Sequence, residues 1–337
     1  MRRTADLYDQ ISDYDNLCEA FRKAAKGKQN RPEVIAFRQD FTANIQNLRG
    51  QLLSHNFDIG HYRFFKVFDP KPRSICAAAF PERVLHHAIM NICEPVLNAY
   101  AIHDSYACQK DKGNRKALAK AQKYARRYDW YLKLDIHKYF DSIDHDIMLN
   151  QMSRRFKDNE LLDMFRQLLG TYHTAPGKGM PIGNLISQHL ANFYLGFFDH
   201  WIKEERRVHA YLRYMDDFIL FGNGKTYLKA ELALIKEFLS IKLKLSLKTN
   251  IQLNRCKRGM PFLGYRIFPY IIRLSPYSRK RFVHKFRMYE EKWRTEEWSM
   301  ADLVRHMEPL VEFTRAADTL AFRRSVIKQY GVSSLKR

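Results

Sequence analysis

The stretch RYMDDFIL, residues 213–220, sets two adjacent aspartates, Asp216 and Asp217, between the pair Tyr214 and Met215 and an apolar run that begins at Phe218. Aromatic and β-branched residues of this kind suit a buried strand. Adjacent aspartates at a hairpin tip are ordinary, because Asp favours turns. Here, however, the flanks are not polar loops. Two carboxylates a few ångströms apart repel strongly, and burial penalises their charged forms, so the pair needs a counter-charge.

A second acid lies upstream. WYLKLDIHKYF (130–140) alternates Tyr131, Lys133 and Asp135 against Leu132, Leu134 and Ile136, a strand pattern that carries Asp135 to its end. Laid beside a hairpin turning through Met215, Asp216 and Asp217, that strand would bring three carboxylates to one sheet edge. Divalent metal supplies the missing positive charge. Two Mg²⁺ ions about 3.5–4 Å apart, with Mn²⁺ as a substitute, would activate the attacking oxygen and stabilise the leaving oxygen of an in-line phosphoryl displacement.

The composition agrees with a phosphate-rich partner. Lys and Arg number 58 against 36 acidic residues, a formal charge of +22, which is far beyond the needs of solubility. Nucleic acid leads over a membrane surface, because no apolar run approaches the roughly 20 residues of a spanning helix. MRRTADLYDQ shows no hydrophobic signal region, so the expected location is the cytoplasm, with no membrane partner. With 337 residues, 46% of them hydrophobic, the chain can bury two or three packed subdomains. Cys18, Cys76, Cys93, Cys108 and Cys256 are odd in number and form no CxxC pair, which reads as reduced core thiols.

Residues 5–55 read as helical: YDNLCEAFRKAAKGK places Leu17, Ala20, Phe21 and Ala24 on one face and stops at Gly27, and a further helix follows Pro32. YRFFKVFDPKPRSICAAAF (62–80) predicts a short hairpin with a basic tip. Helices are expected over 82–100, 114–127, 185–206 and 226–242, and further strands in RYMDDFILFG and PFLGYRIF. In SRKRFVHKFRMYEEKWR (278–294), Phe282, Phe286, Tyr289 and Trp293 share a helical face, leaving Arg279, Lys280, Arg287 and Arg294 largely elsewhere. The aromatics read as core and the charges as a solvent-facing basic surface.

YMDD resembles the YxDD box of reverse transcriptases, and the resemblance extends along nearly the whole chain in the family's order. KPRSI with PERVLHHAI is similar to the fingers segment, SYACQKDKGNRKAL to the segment between fingers and palm, and LKLDIHKYFDSID to the motif bearing the first metal-binding aspartate, here Asp135. GMPIGNLISQHLANFYL (179–195) resembles the template-and-nucleotide motif, PFLGY the primer-grip hairpin and LSLKT the segment before it. The resemblance implies an α+β right-hand polymerase: an amino-terminal helical segment (1–60), fingers (61–129), a palm of antiparallel sheet plus helices (130–268, a return of 155–178 to the fingers being the open alternative) and a helical thumb (269–337).

It also implies roles. Asp135, Asp216 and the backbone carbonyl of Ile136 would bind metal, with Asp217 completing the catalytic cluster. Phe140 falls where the family places an aromatic gate against the ribose 2′-hydroxyl. Arg73 matches an arginine that lies along the triphosphate, a task suited to a planar guanidinium; Lys66, Lys71, Ile182 and Gly183 join it in the nucleotide site. Lys248 would protonate the leaving pyrophosphate. Ser187, Gln188, Leu263, Gly264, Tyr265, Arg279, Lys280 and Arg287 would contact template and primer.

Two departures narrow the resemblance. Most prokaryotic reverse transcriptases carry a PQG…SP pattern, whereas this chain has Ile182 in place of Gln and Gln188 in place of Pro. The resulting xG…SQ signature resembles the enzymes of diversity-generating retroelements. LYDQISDYDNLCEAFRKAAKGK agrees, as does a chain that leaves no space for maturase and endonuclease regions. That membership implies copying of a structured template-repeat RNA into cDNA from deoxynucleoside triphosphates, error-prone opposite adenines, with mutagenic retrohoming into a target gene. The expected partners are the RNA/cDNA duplex and a small, basic, oligomeric accessory variability protein. Two alternatives stay open: a retron-like or other antiphage reverse transcriptase, and a catalytically silent RNA-binding scaffold.

Overall fold

A capping aspartate written into the sequence starts one of the amino-terminal helices. The computed structural model describes residues 3–68 and 72–331. After a short α1 (Tyr8–Ser12), the Asp13 side chain accepts the N–H groups of Asp15 and Asn16 and opens α2 (Tyr14–Ala25). Leu17, Ala20 and Ala24 are buried, and the chain leaves the helix through Gly27 at φ +71°. The helix expected after Pro32 is followed at once by another: α3 (Pro32–Gln39) ends at Asp40, whose backbone is not helical, and α4 (Phe41–Leu53) follows.

Strands β1 (Tyr62–Val67) and β2 (Arg73–Ala78) form the anticipated antiparallel hairpin, with Phe65 opposite Ile75 and Val67 opposite Arg73. Two helices follow close to their expected bounds, α5 (Phe80–Tyr100) and α6 (Asn114–Arg127). Next come β3 (Trp130–Asp135), a single turn α7 (Tyr139–Ser142), α8 (His145–Ser153) and α9 (Asn159–Gly170). The α8–α9 region folds back onto the amino terminus: Thr4 pairs with Phe156, and Asp158 accepts the N–H groups of Leu7 and Tyr8.

The helix expected over 185–206 is interrupted. It divides into α10 (Leu185–Tyr194), α11 (Gly196–His200) and a π-helical turn over Trp201–Glu205. Strands β4 (Tyr211–Tyr214) and β5 (Asp217–Gly222), helix α12 (Lys225–Leu243) and β6 (Gln252–Arg255) complete a four-stranded antiparallel sheet in the order β4-β5-β3-β6. Its strands look apolar throughout because both faces are covered. Leu132, Leu134, Phe218 and Leu220 enter the large core shared with the amino-terminal helices. Tyr131, Leu212, Ile219 and Phe221 face a second core built with α6.

That second core also takes the small sheet of β7 (Met260–Phe262), β8 (Tyr265–Ile267) and β9 (Ile272–Leu274). Three helices close the described chain: α13 (Pro276–Arg294), α14 (Met300–Thr314) and α15 (Leu320–Tyr330). The aromatic face of α13 turns inward as expected, Phe282 and Phe286 packing with Val326. Helices and antiparallel sheets thus give the α+β architecture read from the sequence. All five cysteines are free thiols, and no helix of the described residues is long and apolar enough to cross a membrane.

Candidate active site

Strand register brings the three aspartates together. Asp135 pairs with Asp217 across β3 and β5, while Tyr214 pairs with Asp217 across the β4–β5 hairpin. This leaves Met215 and Asp216 as a two-residue turn, with Met215 at φ +54°. The turn is tied to the strand end by the Ile136 N–H, which donates to the Asp216 carbonyl at 3.3 Å. On the other side, Ile136 bridges to Leu247, and the Lys248 N–H donates to the Asp135 carbonyl at 2.8 Å.

Two lysines answer part of the negative charge. Lys248 Nζ lies 2.6 Å from Asp135 Oδ1, and Lys133 Nζ lies 2.8 Å from Asp217 Oδ2. Even so, burial pushes the Asp217 carboxyl up to about 7, with Asp135 and Asp216 adding to the rise and Lys133 opposing it. Burial and the neighbouring Asp135 also raise Asp216, against the pull of Lys248 and Arg73. Asp217 Oδ1 is buried without a hydrogen-bond partner. Among the described residues no three His, Cys, Asp or Glu side chains are grouped closely enough to form a finished metal cage. The donor chemistry nevertheless fits a hard divalent cation: carboxylate oxygens, one of them unpartnered, at an edge still short of positive charge.

The β1–β2 hairpin is docked on the segment 182–184. The Cys76 N–H donates to the Ile182 carbonyl at 2.7 Å, and the Ala78 N–H to Asn184 Oδ1 at 3.1 Å. Gly183 sits between these contacts at φ +123°, where an added Cβ would lie 2.6 Å from Ile75 Cγ2. Arg73, exposed at the start of β2, is close enough for its charge to act on Asp216. Lys66 is exposed on β1, whereas Lys71 lies outside the described residues.

Phe140 is half-buried beside Tyr139, their rings 5.7 Å apart, and its backbone carbonyl accepts the Met180 N–H at 2.9 Å. Tyr139 is the core member of the pair, its hydroxyl donating to the Ala191 carbonyl. Ser187 is buried inside α10, while its neighbour Gln188 is exposed and meets Cys108. Leu263 and Gly264 form the β7–β8 turn; the buried Tyr265 donates its hydroxyl to the Phe313 carbonyl, tying that turn to α14. Arg279 and Arg287 lie over the rings of Phe322 and Tyr330, and Lys280 is exposed on α13.

Two features escaped the sequence reading. Lys133 shares a strand face with Asp135 at i, i+2, so alternation alone placed it near the acids. Arg213 is fully buried and paired with Asp199 at 2.5 Å, beneath the Met215–Asp216 turn. A charged residue inside an otherwise apolar strand was the available signal, since a buried charge must find a partner.

The chain is similar to several known proteins. Protein YkfC of Escherichia coli is 25% identical over 293 residues, covering 71% of this chain and 74% of its own length. The putative COX1/OXI3 intron 1 protein of Saccharomyces cerevisiae is 25% identical over 167 residues, 45% of this chain and 20% of that protein. Nuclear intron maturase 4 of Arabidopsis thaliana is 25% identical over 164 residues, 46% of this chain and 21% of that one. This chain therefore spans about three quarters of YkfC but about a fifth of the two intron-related proteins. Among solved structures, telomerase from Candida tropicalis with a TWJ fragment of telomeric RNA superposes with a TM-score of 0.49 at 10% identity, covering 80% of this chain and 54% of that one. The profile described as reverse transcriptase (RNA-dependent DNA polymerase) matches residues 69–267, a span that contains the acidic edge and ends with β8. With more than half of its length in that match, the chain belongs to the reverse transcriptase family.

Proposed function

We propose that the protein is an RNA-directed DNA polymerase whose reaction centre is the edge formed by Asp135, Asp216 and Asp217. The carrying observation is the register pairing Asp135 with Asp217, with Asp216 on the intervening turn and Asp217 Oδ1 lacking a partner. When bound there, Mg²⁺ would lower the barrier by activating the primer 3′-hydroxyl and neutralising the developing phosphate charge. Asp135, Asp216 and the Ile136 carbonyl are the proposed ligands. Lys133 would hold Asp217 in its ionised form, and Lys248 would release Asp135 to the metal and serve the departing pyrophosphate. In this reading residues 61–129 act as fingers, 130–268 as palm and 269–337 as thumb. The hydrogen bonds that Asp158 accepts from the Leu7 and Tyr8 N–H groups favour a return of the 155–178 excursion toward the helices of 1–60.

Arg73 would lie along the triphosphate, with Phe140 against the sugar. Phe140 packs against the core yet is only half-buried, which is compatible with that role. Phe140→Ala is expected to raise ribonucleotide incorporation relative to deoxynucleotide by about tenfold, the upper effect of a cavity of this size being roughly 1–3 kcal/mol. Competition between labelled rNTP and dNTP measures it, and unchanged sugar discrimination would return Phe140 to a packing role.

The finer reading is a reverse transcriptase of a diversity-generating retroelement, copying a structured template RNA with errors at adenine and working with a small basic accessory protein. Ile182 and Gln188 support it. Where relatives carry Gln, a polar side chain beside the nascent pair can hydrogen-bond; Ile offers only shape. Losing one such bond costs about 1–3 kcal/mol of discrimination. Ile182→Gln, sequenced on cDNA made from the native RNA, is therefore expected to lower misincorporation opposite adenine several-fold with correct extension kept. An unchanged error ratio in a folded, active variant would remove Ile182 from the account.

A further inference from the structure

A buried ion pair braces the turn that carries Asp216. All five N–H donors of Arg213 have acceptors. Nε reaches Asp199 Oδ1 at 2.8 Å, and Nη2 reaches Asp199 Oδ2 at 2.5 Å and the Asn192 carbonyl at 3.1 Å. Nη1 donates to Asn192 Oδ1 at 2.7 Å and to the Met215 carbonyl at 3.0 Å. Asp199 is itself held by the Tyr211 hydroxyl at 2.6 Å. One guanidinium thus joins α10 through Asn192, α11 through Asp199, and the catalytic turn through Met215.

The Met215 contact decides what the network is for. Met215 stands at φ +54°, a backbone region that hairpin turns normally fill with Gly, Asn or Asp. Strained residues persist where the surroundings over-determine them, and they gather at functional sites. Stability alone gives no reason for an ion pair here, since well-packed apolar groups of similar volume commonly replace buried pairs without loss. What apolar groups cannot supply is the directed fork of a guanidinium. Asp216 follows Met215 immediately, so the carbonyl that Arg213 fixes sets the peptide from which the Asp216 side chain departs.

We propose that Arg213, oriented by Asp199 and Asn192, is a positioning residue that aims the Asp216 carboxylate at Asp135 and couples that aim to α10. The inference rests on the polymerase reading given above. It is tested with the triple variant Arg213→Met/Asp199→Leu/Tyr211→Phe, which fills the site with apolar groups, and with Arg213→Gln/Asp199→Asn, which keeps it polar but shortens the reach to Met215. Circular dichroism follows folding, and fluorescence anisotropy follows RNA/DNA duplex binding. Single-turnover dNTP incorporation and Mn²⁺ binding to the duplex complex, read by electron paramagnetic resonance, report on the site.

At least one variant is expected to fold and to bind duplex within about twofold of wild type. Its incorporation rate should fall about ten- to a hundredfold, the scale of an ångström-sized misplacement, with Mn²⁺ bound several-fold more weakly. A folded variant with wild-type rate and Mn²⁺ affinity overturns the proposal, and so does failure of both variants to fold, which would assign the network to stability. If the wild type itself incorporates nothing, the polymerase reading falls and takes this proposal with it; an active wild type with an unimpaired variant removes this proposal alone.

Discussion

Asp216→Asn is expected to abolish DNA synthesis while leaving the protein folded and able to bind RNA. The substitution keeps shape and removes charge. Burial and the neighbouring Asp135 already raise the Asp216 carboxyl, so folding makes its ionised form less favourable than it is in the unfolded chain. A group whose folded value lies above its unfolded one costs stability once pH exceeds the unfolded value, and a neutral amide does not carry that cost. Thermal unfolding near pH 7 should therefore be unchanged or shifted slightly upward. Primer extension should fall by roughly three orders of magnitude, the scale on which loss of one charge-stabilising group acts in group transfer. Extension near the wild-type rate with Mg²⁺ would be incompatible with an Asp216 ligand.

The second large effect is expected at Gly183. Its φ of +123° is a conformation that L side chains rarely adopt, and a Cβ would lie 2.6 Å from Ile75 Cγ2 and 3.2 Å from the Cys76 carbonyl oxygen. Ile is β-branched and stiff at Cβ, so the methyl cannot swing aside without moving its strand. Gly183→Ala then combines backbone strain with overpacking, each of about 1–3 kcal/mol. The hydrogen bond from Cys76 to Ile182 is the contact nearest the intrusion, and Arg73 begins the same strand. The hairpin should lift from the 182–184 segment, carrying Arg73 away from Asp216. Expected results are a melting temperature lower by several degrees and incorporation reduced at least tenfold, with a raised KM for dNTP. A variant of wild-type stability and KM would show that the hairpin is not docked through Gly183.

The acidic edge was legible because strand periodicity fixes faces and ends. Alternation in 130–136 predicted a strand ending at Asp135, and the flanks of Asp216 and Asp217 predicted a hairpin, so register alone could bring them together. The β1–β2 hairpin and α13 were legible for similar reasons: two prolines between apolar runs, and an aromatic stripe at helical spacing. The break of the helix over 185–206 left a weaker trace. Gly196 lies there, its would-be Cβ 2.8 Å from Tyr100, and a close approach between distant segments is invisible in local pattern. Pairings across long sequence separations were also hidden. Lys248 with Asp135 and Arg213 with Asp199 depend on tertiary proximity, and sequence shows only that each charge needs a partner.

The most direct test of the central claim is template-dependent incorporation by the purified full chain. Wild type and Asp216→Asn would each be given an RNA template with an annealed DNA primer, all four dNTPs, and either Mg²⁺ or Mn²⁺, with products resolved on a denaturing gel. The account predicts cDNA that extends to the template end with wild type, requires divalent metal, and disappears with Asp216→Asn although both proteins bind the duplex alike. Equal duplex binding with no extension by the wild type under either metal, on its native RNA as well as on a generic one, would contradict it and leave an RNA-binding scaffold.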